Sequence, residues 1–318
     1  MRIIILDGRT LNPGDNPWDP LIELCEPGNV VVHDRTAPED VVTRSAGAQI
    51  VITNKVPITR TSLEALPDLR FIAVTATGHN VVDSKAARER GIPVSNVPTY
   101  GTDTVAQHTF ALLLELCHRV GLHAASVSAG EWQACPDFCY WKSPLIELKG
   151  RQLGIVGRGR IGQRVASLAA AFGMHVRFAS TSQPDGSGDM PSIGELFAES
   201  DMVSLHCALT PANERFVNAP LLARMKPSAF LINTSRGQLI DEEALAAALE
   251  AGVIAGAATD VLSKEPPVEG HPLIGRADCI VTPHMAWTGL QARSALMTTT
   301  IENVKAFLRG EPVNVVNA

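Results

Sequence analysis

The chain has 318 residues, of which 45% are hydrophobic and 19% charged, and its formal net charge at pH 7 is −6. This length and composition predict a soluble globular protein with one large or two ordinary domains. The negative charge argues against nucleic acid or an anionic membrane as a partner. No apolar run approaches the roughly 18 residues that a membrane-spanning helix needs, so we expect no membrane segment.

Six cysteines are scattered along the chain, at positions 25, 117, 135, 139, 207 and 279. Residues 1–8 look like a short strand and a turn rather than a signal peptide. We therefore expect reduced thiols and a cytoplasmic protein. Cys135 and Cys139 are not accompanied by a second ligand pair with metal spacing, so no metal site is expected.

Residues 1–98 are expected to form repeated strand-helix units. Short apolar runs at 3–6, 30–32, 50–52, 71–74 and 93–95 alternate with helix-like segments such as 62–66 and 83–90. This alternation predicts a parallel sheet covered by helices on both faces. The pattern changes at residues 100–103, where a long helical stretch begins that runs to about Ser128. An irregular segment rich in aromatic residues follows at 130–148.

Residues 153–162 read L-G-I-V-G-R-G-R-I-G, which is an apolar run of strand length followed by G-x-G-x-x-G. A helical pattern follows at once, with apolar residues at 165, 168, 169 and 172. In this motif Gly157 permits the tight turn, Gly159 lets the backbone approach a pyrophosphate, and Gly162 lets the helix pack on the strand. Because both the strand and the helix are present, the motif predicts a dinucleotide site rather than a glycine-rich turn.

The end of the next strand normally indicates which dinucleotide is bound. A site for NAD usually has an acidic residue there, about 20 residues after the glycine loop, for the ribose hydroxyl. Here the position is Ser180, followed by Thr181 and Ser182, and no carboxylate is present to repel a 2′-phosphate. No Lys or Arg follows in this loop, so Arg158 is the nearest candidate cation. We expect NADP to be preferred, with NAD as the alternative.

A second set of strand-type runs follows, at 174–179, 201–206, 229–233, 254–259 and 279–282. Ser192 with Glu195 predicts a capping box for a short helix, and the acidic residues 241–243 predict the start of another. Residues 288–309 are helical again and are expected to cross back to the first domain. The predicted domains are therefore 1–98 together with 288–318, and 99–287.

Several separated motifs occur in a fixed order: the glycine loop, N-T-S-R-G at 233–237, T-D-V-L at 259–262 leading to Glu265-Pro266, and T-P-H at 282–284. With these motifs the chain resembles the D-isomer-specific 2-hydroxyacid dehydrogenases over nearly its whole length. Residues 76–83, 136–139 with Trp141, and 284–287 resemble the glycerate dehydrogenase/hydroxypyruvate reductase branch. The resemblance implies an α/β fold of two doubly wound parallel-sheet domains, with a Rossmann dinucleotide-binding domain inserted in a flavodoxin-like substrate domain.

The resemblance implies reversible hydride transfer between a nicotinamide cofactor and a small 2-oxo acid or D-2-hydroxy acid, with hydroxypyruvate or glyoxylate as the expected substrate. By motif position, Arg236 binds the substrate carboxylate and carbonyl, His284 donates the proton, and Glu265 pairs with His284. A guanidinium is always charged and binds a carboxylate bidentately, and histidine titrates near working pH. Taken singly, each residue has a structural alternative: a surface arginine, a buried histidine and a loop carboxylate.

Further assignments follow from the same resemblance. Thr104 is expected near the nicotinamide, Arg160 and Ile161 at the pyrophosphate, and Asp260 at the nicotinamide amide. The other predicted cofactor-binding residues are Gly157, Gly159, Gly162, Ser180, Thr181, Cys207, Thr234, Ser235, His284 and Ala286. The loop 74–78 is expected to bind the substrate carboxylate through backbone N–H groups, with Ala76, Thr77 and Gly78 as substrate-binding residues. Ser180 departs from the family's acidic ribose ligand, which leaves the identity of the cofactor open.

The aromatic segment 130–148 lies where the family forms its dimer arm, and an exposed aromatic cluster there predicts a homodimer. Trp141 is expected either to contact substrate in the active site of the partner subunit or to pack locally within the arm. A dinucleotide-sensing, corepressor-like protein is the alternative function on the same fold. Such a protein is expected to carry added tails or a docking surface, whereas this chain ends a few residues after its last helix.

Overall fold

The computed structural model describes all 318 residues, and the chain forms two compact units. Unit 1 consists of Met1–Gly101 and Thr288–Ala318, and unit 2 consists of Thr102–Trp287. Unit 1 is therefore discontinuous in sequence. The first change of unit occurs at residues 101–102, where a long helix begins, rather than at 98–99, and the second occurs at 287–288.

The first segment of unit 1 contains five strands and four short helices. The strands are β1 (Ile3–Ile5), β2 (Val30–Val32), β3 (Ile50–Thr53), β4 (Phe71–Val74) and β5 (Val94–Ser95). The helices are α1 (Asp19–Ile22), α2 (Val41–Ser45), α3 (Arg60–Glu64) and α4 (Ser84–Glu89). Short 3₁₀ turns occur at Gly8–Thr10 and Pro38–Asp40.

Unit 2 contains six strands and six helices. The helices are α5 (Thr102–His118), α6 (Val120–Ser128), α7 (Arg160–Ala171), α8 (Ile193–Glu199), α9 (Ala219–Leu222) and α10 (Glu242–Glu250). The strands are β6 (Gln152–Val156), β7 (His175–Ala179), β8 (Met202–Leu205), β9 (Phe230–Asn233), β10 (Gly256–Thr259) and β11 (Cys279–Val281). The last helix, α11 (Leu290–Leu308), belongs to unit 1.

The sheet of unit 1 is parallel, in the order β2-β1-β3-β4-β5 that is typical of flavodoxin-like folds. Strands β1 and β4 are buried on both faces, so helices must cover both. Helices α2, α3 and α4 pack on one face. Helix α11 packs on the other, where the ring of Phe307 stacks on Phe71 with 4.6 Å between ring centroids.

The end of the chain covers the open edge of this sheet. Val315 forms an antiparallel bridge with Ser95, and the N–H of Val316 donates to the carbonyl oxygen of Val94 at 2.8 Å. The buried side chain of Asn317 bonds to the backbone of Ile92 and Val94. Strand β5 therefore does not expose an unpaired edge.

The sheet of unit 2 is also parallel, in the order β11-β10-β9-β8-β6-β7. Its two faces are covered by different helices, since one apolar cluster contains residues of α5 and α7 and the other contains residues of α8, α9 and α10. The strand order reverses between β6 and β8. In open α/β sheets, ligands bind at the carboxyl ends of the strands at such a switch point.

The prediction of one continuous helix from about residue 100 to Ser128 is wrong at a single position. Arg119 has a φ of 49°, and the axes of α5 and α6 on either side of it differ by 59°. The guanidinium of Arg119 donates to the carbonyl oxygen of Ala277 at 2.8 Å, and the carboxylate of Glu115 accepts the N–H of Gly121 in the first turn of α6. These contacts stabilise the break.

No single helix is both long and apolar enough to cross a membrane, although α5 and α6 taken together pass that test by length and composition.

Candidate active site

The glycine loop joins the end of β6 to the start of α7 and fits a dinucleotide. Gly157 has a φ of 107°, and a Cβ there would lie 2.5 Å from the carbonyl oxygen of His206. A Cβ on Gly162 would lie 2.1 Å from the carbonyl oxygen of Gly157, so α7 packs directly on the loop. A Cβ on Gly159 would meet nothing within 4 Å. This open space lies at the first turn of α7, which contains Arg160 and Ile161 and suits a pyrophosphate.

A cluster of hydroxyl groups follows the end of β7. The Oγ atoms of Ser180 and Ser182 lie 2.8 Å apart, and the N–H of Ser182 donates to Oγ of Ser180. The hydroxyl of Thr181 accepts from the side-chain amide of Asn213 at 3.2 Å. Arg158 holds its guanidinium over the ring of Phe178, 5.4 Å from the centroid, a cation–π contact that keeps the positive charge beside this strand.

Cys207 and its neighbour His206 follow β8 and face the glycine loop. Burial raises the pKa of the Cys207 thiol to about 11, so the thiol is protonated at neutral pH and is not a nucleophile. Burial lowers the pKa of His206 to about 4, so this imidazole is neutral. Its Nε2 lies 2.8 Å from the Ser204 hydroxyl. Neither group carries charge near the dinucleotide site.

His284 and Glu265 form a hydrogen-bonded pair. His284 Nδ1 lies 2.6 Å from Glu265 Oε2, and Glu265 Oε1 accepts the N–H of Leu262 at 2.8 Å. One carboxylate oxygen thus orients the ring while the other is anchored to the main chain. The two side chains are 31% and 34% exposed, so both can be reached from solvent. Because Nδ1 faces the carboxylate, Nε2 is the ring nitrogen that can serve a substrate.

The main chain at His284 adopts a left-handed conformation, with a φ of 51°. Its N–H donates to the carbonyl oxygens of Asp260 at 2.7 Å and of Thr282 at 3.0 Å. A non-glycine residue in this region costs about 1–3 kcal/mol and persists only where its surroundings hold it. These hydrogen bonds supply part of that support.

Asp260 supplies the rest through its carboxylate. Oδ1 accepts from the Thr282 hydroxyl and from the N–H of Met285, and Oδ2 accepts the N–H of Ala286 at 2.8 Å. His108 Nε2 on α5 lies 3.4 Å from Oδ1. Burial raises the pKa of Asp260, but the hydrogen bonds from His108, Thr282, Ala286 and Met285 outweigh burial and hold this pKa below its usual value.

Asp260 and Ala286, two of the predicted cofactor-binding residues, also support the loop that carries His284. The Asp260 side chain is completely inaccessible to solvent, and its oxygens accept hydrogen bonds from residues 282, 285 and 286. Ala286 is also buried and donates its N–H to Asp260. Contact of either residue with the cofactor stays a prediction.

Thr234, Ser235 and Arg236 follow β9. The hydroxyl of Ser235 donates to the carbonyl oxygen of Leu205 at 2.8 Å, and that of Thr234 lies 3.1 Å from the hydroxyl of Thr109 on α5. These contacts fasten the turn to its neighbours. Arg236 is exposed, and its Nη1 donates to the carbonyl oxygen of Ser235 at 2.7 Å.

Unit 2 therefore brings the three predicted catalytic residues to one edge of its sheet. Arg236 follows β9, Glu265 follows β10 and His284 follows β11, and these three strands are neighbours. A Cβ on Gly237 would lie 1.9 Å from the carbonyl carbon of Leu262, so the turn of Arg236 packs directly on the turn of Glu265. Thr104 lies in the first turn of α5.

The predicted substrate residues of unit 1 lie together in the loop after β4. Ala76 is buried, whereas Thr77 and Gly78 are exposed. The hydroxyl of Thr77 donates to the carbonyl oxygen of Val97 at 2.8 Å, and the side-chain amide of Asn96 donates to the carbonyl oxygen of Thr77 at 2.7 Å. The loop is thus held in place from the end of β5.

Sequence reasoning missed the supporting roles of His108 and Asn96. No function was assigned to His108. It is a polar residue on a helix whose buried residues are apolar apart from Thr109 and Cys117, and this signal was available. Asn96 directly follows β5. A search for polar residues just after strands, which finds Arg236 and His284, would also have found Asn96.

The segment after α6 exposes large apolar side chains. Phe138 is 90% exposed and Trp141 is 68% exposed. Trp132 donates its indole N–H to the carbonyl oxygen of Phe138 at 3.1 Å, and the hydroxyl of Tyr140 lies 2.6 Å from that of Ser126. The segment is therefore ordered by its own hydrogen bonds while its aromatic rings face outward.

A family model described as D-isomer specific 2-hydroxyacid dehydrogenase, NAD binding domain, matches residues 110–286, which is more than half of the chain. The chain belongs to the D-isomer-specific 2-hydroxyacid dehydrogenase family. The resemblance and fold class predicted from the motifs are thus confirmed, and this protein is a nicotinamide-dependent oxidoreductase of that family.

Individual relatives agree. The hydroxypyruvate reductase of Blautia hydrogenotrophica is 45% identical over 324 residues, covering 100% of both chains. The structure of the TT0316 protein from Thermus thermophilus matches with a TM-score of 0.84 at 36% identity, covering 99% of this chain and 100% of that one. An NADPH-dependent glyoxylate/hydroxypyruvate reductase from Sinorhizobium meliloti, in complex with NADP and malonate, matches at 0.81 and 29% identity, covering 99% and 96%.

The names of these relatives bear on the two predicted functions, a 2-hydroxyacid dehydrogenase and a dinucleotide-sensing, corepressor-like protein. Two of the three are named as reductases of small 2-oxo acids. None of them gives support to the corepressor-like alternative.

Proposed function

We propose that this dehydrogenase reduces hydroxypyruvate or glyoxylate to the corresponding 2-hydroxy acid, with His284 as proton donor, Glu265 as its partner and Arg236 as the ligand of the substrate carboxylate. The observation that carries the proposal is the hydrogen bond of 2.6 Å between His284 Nδ1 and Glu265 Oε2. The names of the two reductases among the relatives support this substrate class.

The chemistry accounts for each residue type. Reduction of a 2-oxo acid requires a hydride at C2 and a proton at the carbonyl oxygen, and the nicotinamide cofactor supplies the hydride when it is bound. The Glu265 carboxylate orients the imidazole ring of His284, which donates its Nε2 proton to the carbonyl oxygen. The exposed guanidinium of Arg236 binds the carboxylate.

NADP is the proposed cofactor, with NAD as the weaker ligand. A ribose-binding carboxylate at the end of this strand would repel a 2′-phosphate. This chain has the hydroxyl groups of Ser180, Thr181 and Ser182 there instead. Arg158 is held against Phe178, on the strand that ends next to these hydroxyls. This contact keeps the positive charge of Arg158 near the strand end where a 2′-phosphate is proposed to bind.

Steady-state kinetics test both proposals together. We would measure oxidation of NADPH and NADH side by side with hydroxypyruvate, glyoxylate and pyruvate as substrates. A higher kcat/KM with NADPH supports the 2′-phosphate site at residues 180–182, and a higher value with NADH contradicts it. Absence of turnover with all three acids, in protein that binds cofactor, contradicts the proposed substrate class.

A homodimer through α6 and the aromatic segment is also proposed. Apolar side chains that are at least one-third exposed share this region: Val120, Leu122, Val127, Trp132, Phe138, Trp141 and Leu145. Exposed apolar side chains in this number favour an interface in this region. We place Trp141 of each subunit toward the active site of the partner subunit.

The proposed location is the cytoplasm. All six cysteines are free thiols. Burial raises the pKa of Cys117 to about 11 and that of Cys279 to about 12, so these thiols are protonated and inert, as suits a reducing compartment. Cell fractionation with an antibody against the protein tests the location.

A further inference from the structure

The loop that carries Glu265 is closed by a residue that has no assigned role. Glu242 is the first residue of α10, and its Oε1 accepts the N–H of Ser263 at 2.8 Å. Its Oε2 accepts the hydroxyl of Ser263 and lies 3.0 Å from His271 Nε2. One carboxylate therefore binds both ends of the loop 263–271, and Glu265 lies within that loop.

The hydrogen bonds around His271 determine which atom donates. The N–H of Leu273 donates to His271 Nδ1 at 3.3 Å, so Nδ1 carries the lone pair and Nε2 carries the proton. Nε2–H then donates to Glu242. The side chains of His271 and Glu242 are only 8% and 11% exposed, so water competes little for this bond.

We propose that Glu242 is a positioning residue for the proton-donating pair. Ser263 follows Leu262, whose N–H holds Glu265 Oε1, so fixing Ser263 fixes the carboxylate that orients His284. Gln238 assists by donating its side-chain amide to the carbonyl oxygen of Ser263 at 2.9 Å. The inference rests on the proposed role of His284 and Glu265 as proton donor and partner.

The charged groups around Glu242 are engaged with one another. A cavity of about 420 Å³ lies against the loop and is lined by charged side chains of both signs. Among these, Arg215 pairs with Asp241 at 2.7 Å, and Lys264 pairs with Glu269 at 3.1 Å. Glu242 is thus held by Ser263 and His271 rather than by a lysine or arginine.

The test compares Glu242→Ala, Glu242→Gln and the matched control Glu243→Ala, which removes the same charge from the next, exposed position. In Glu242→Ala we expect kcat/KM for hydroxypyruvate reduction to fall on the order of 10- to 100-fold, since small misplacements of catalytic groups have effects of this size. The loss should fall on kcat rather than on KM, because a displaced Glu265 misorients the proton donor while Arg236, the proposed ligand of the substrate carboxylate, is unchanged.

Two further readouts separate positioning from general structural damage. Glu242→Gln keeps an acceptor for the N–H of Ser263 and should recover most of the activity. Fluorescence titration with NADPH should give wild-type affinity in all three variants, because the glycine loop is elsewhere in unit 2. If Glu242→Ala fails to bind NADPH, His271→Ala, which releases one end of the loop, replaces it and should show the same fall in kcat in weaker form.

Wild-type kcat and KM in Glu242→Ala, or an equal loss in Glu243→Ala, would overturn the inference. His284→Ala is measured in parallel to distinguish the two levels of the proposal. If His284→Ala remains active, the proton-donor assignment itself is wrong. If His284→Ala is inactive while Glu242→Ala is not, only the positioning role of Glu242 is lost.

Discussion

At the scale of single residues, His284 combines a left-handed main chain with a carboxylate partner. The N–H of His284 and the carboxylate of Asp260 connect the strained turn to the residues that follow β10 and β11. Strain of this kind is retained where it places a side chain for function. Here it fixes the ring of His284 against Glu265 while leaving both exposed to solvent.

Replacing Asp260 by Asn should destabilise the protein at neutral pH. The Asn amide would put an NH₂ group against backbone N–H donors, and a buried donor left unsatisfied costs about 1–3 kcal/mol. Urea unfolding measures the loss, and Asp185→Asn in an exposed loop is the control.

The pKa of Asp260 is lowered in the folded protein, so the contribution of this carboxylate to stability is present above its unfolded pKa and disappears as pH falls through the folded pKa. The deficit of Asp260→Asn should therefore shrink below about pH 3.8, and a deficit that is constant with pH would contradict this.

Replacing Ser180 by Asp should shift the cofactor preference toward NADH. A carboxylate at this position repels a 2′-phosphate and accepts a hydrogen bond from a ribose hydroxyl. A like-charge contact in a binding site costs several kcal/mol, so the ratio of kcat/KM for NADPH to that for NADH should fall at least about tenfold. Ser187→Asp in the same loop controls for added charge. An unchanged ratio would show that the 2′-end of the cofactor lies elsewhere.

At the scale of elements, the turns after β9 and β10 form one packed unit. A Cβ at Gly237 would lie 1.9 Å from the carbonyl carbon of Leu262 and 2.2 Å from the nitrogen of Ser263. Backbone atoms cannot move aside as a flexible side chain can. Because Gly237 has no side chain, the turns that carry Arg236 and Glu265 can pack this close together.

Gly237→Ala should therefore separate the two turns. Overpacking of this kind typically costs about 1–3 kcal/mol, and we expect both a lower Tm and a loss of reduction rate that exceeds the loss expected from stability alone. Gly121→Ala is the control, because its nearest neighbour is the flexible carboxylate of Glu115. A Gly237→Ala protein with normal kcat and KM would show that the spacing of the turns is not critical.

Local signals predicted most elements because local and tertiary preferences agree there. Ser192 forms the expected capping box with Glu195, Asp241 caps α10, and Gly173 closes α7 with a φ of 73°. The break at Arg119 could not be predicted, since arginine favours helices and the contact that stabilises the break is to Ala277, 158 residues away. Strand ends such as Asp201 and His206 lie outside β8, because hydrophobic pattern alone does not show where pairing stops.

The same distinction applies to the candidate site. Motifs brought Arg236, Glu265 and His284 to one sheet edge, since each follows a strand of a parallel sheet. The enclosure of Asp260 by His108 and the loop 282–286 depends on side-chain and backbone groups from two separate segments. No local pattern reports such an enclosure, and a family motif gives a position but not the contacts made there.

At the scale of the whole molecule, the exposed apolar patch of α6 and the aromatic segment predicts self-association. Phe138→Glu combined with Leu122→Glu should convert dimers to monomers in sedimentation velocity, because two charges would be buried without partners. Ile22→Glu in unit 1 is the control, as Ile22 is exposed to a similar degree as Leu122. A wild-type protein that sediments as a monomer would contradict the proposed dimer.

A Trp141→Ala variant distinguishes a role of Trp141 in the dimer interface from a role in the active site. If its side chain reaches the substrate of the partner subunit, Trp141→Ala should raise KM for hydroxypyruvate while the dimer stays intact. Wild-type kinetics in a dimeric Trp141→Ala protein would leave Trp141 a packing role only.

The most direct test of the proposed chemistry is the single-turnover rate of hydroxypyruvate reduction by His284→Ala, measured together with its affinity for NADPH. We expect the rate to fall by about 10²–10⁴-fold, the usual contribution of a general acid, with the affinity for NADPH unchanged. A rate near that of the wild-type protein at the same affinity would contradict the assignment of His284 as proton donor.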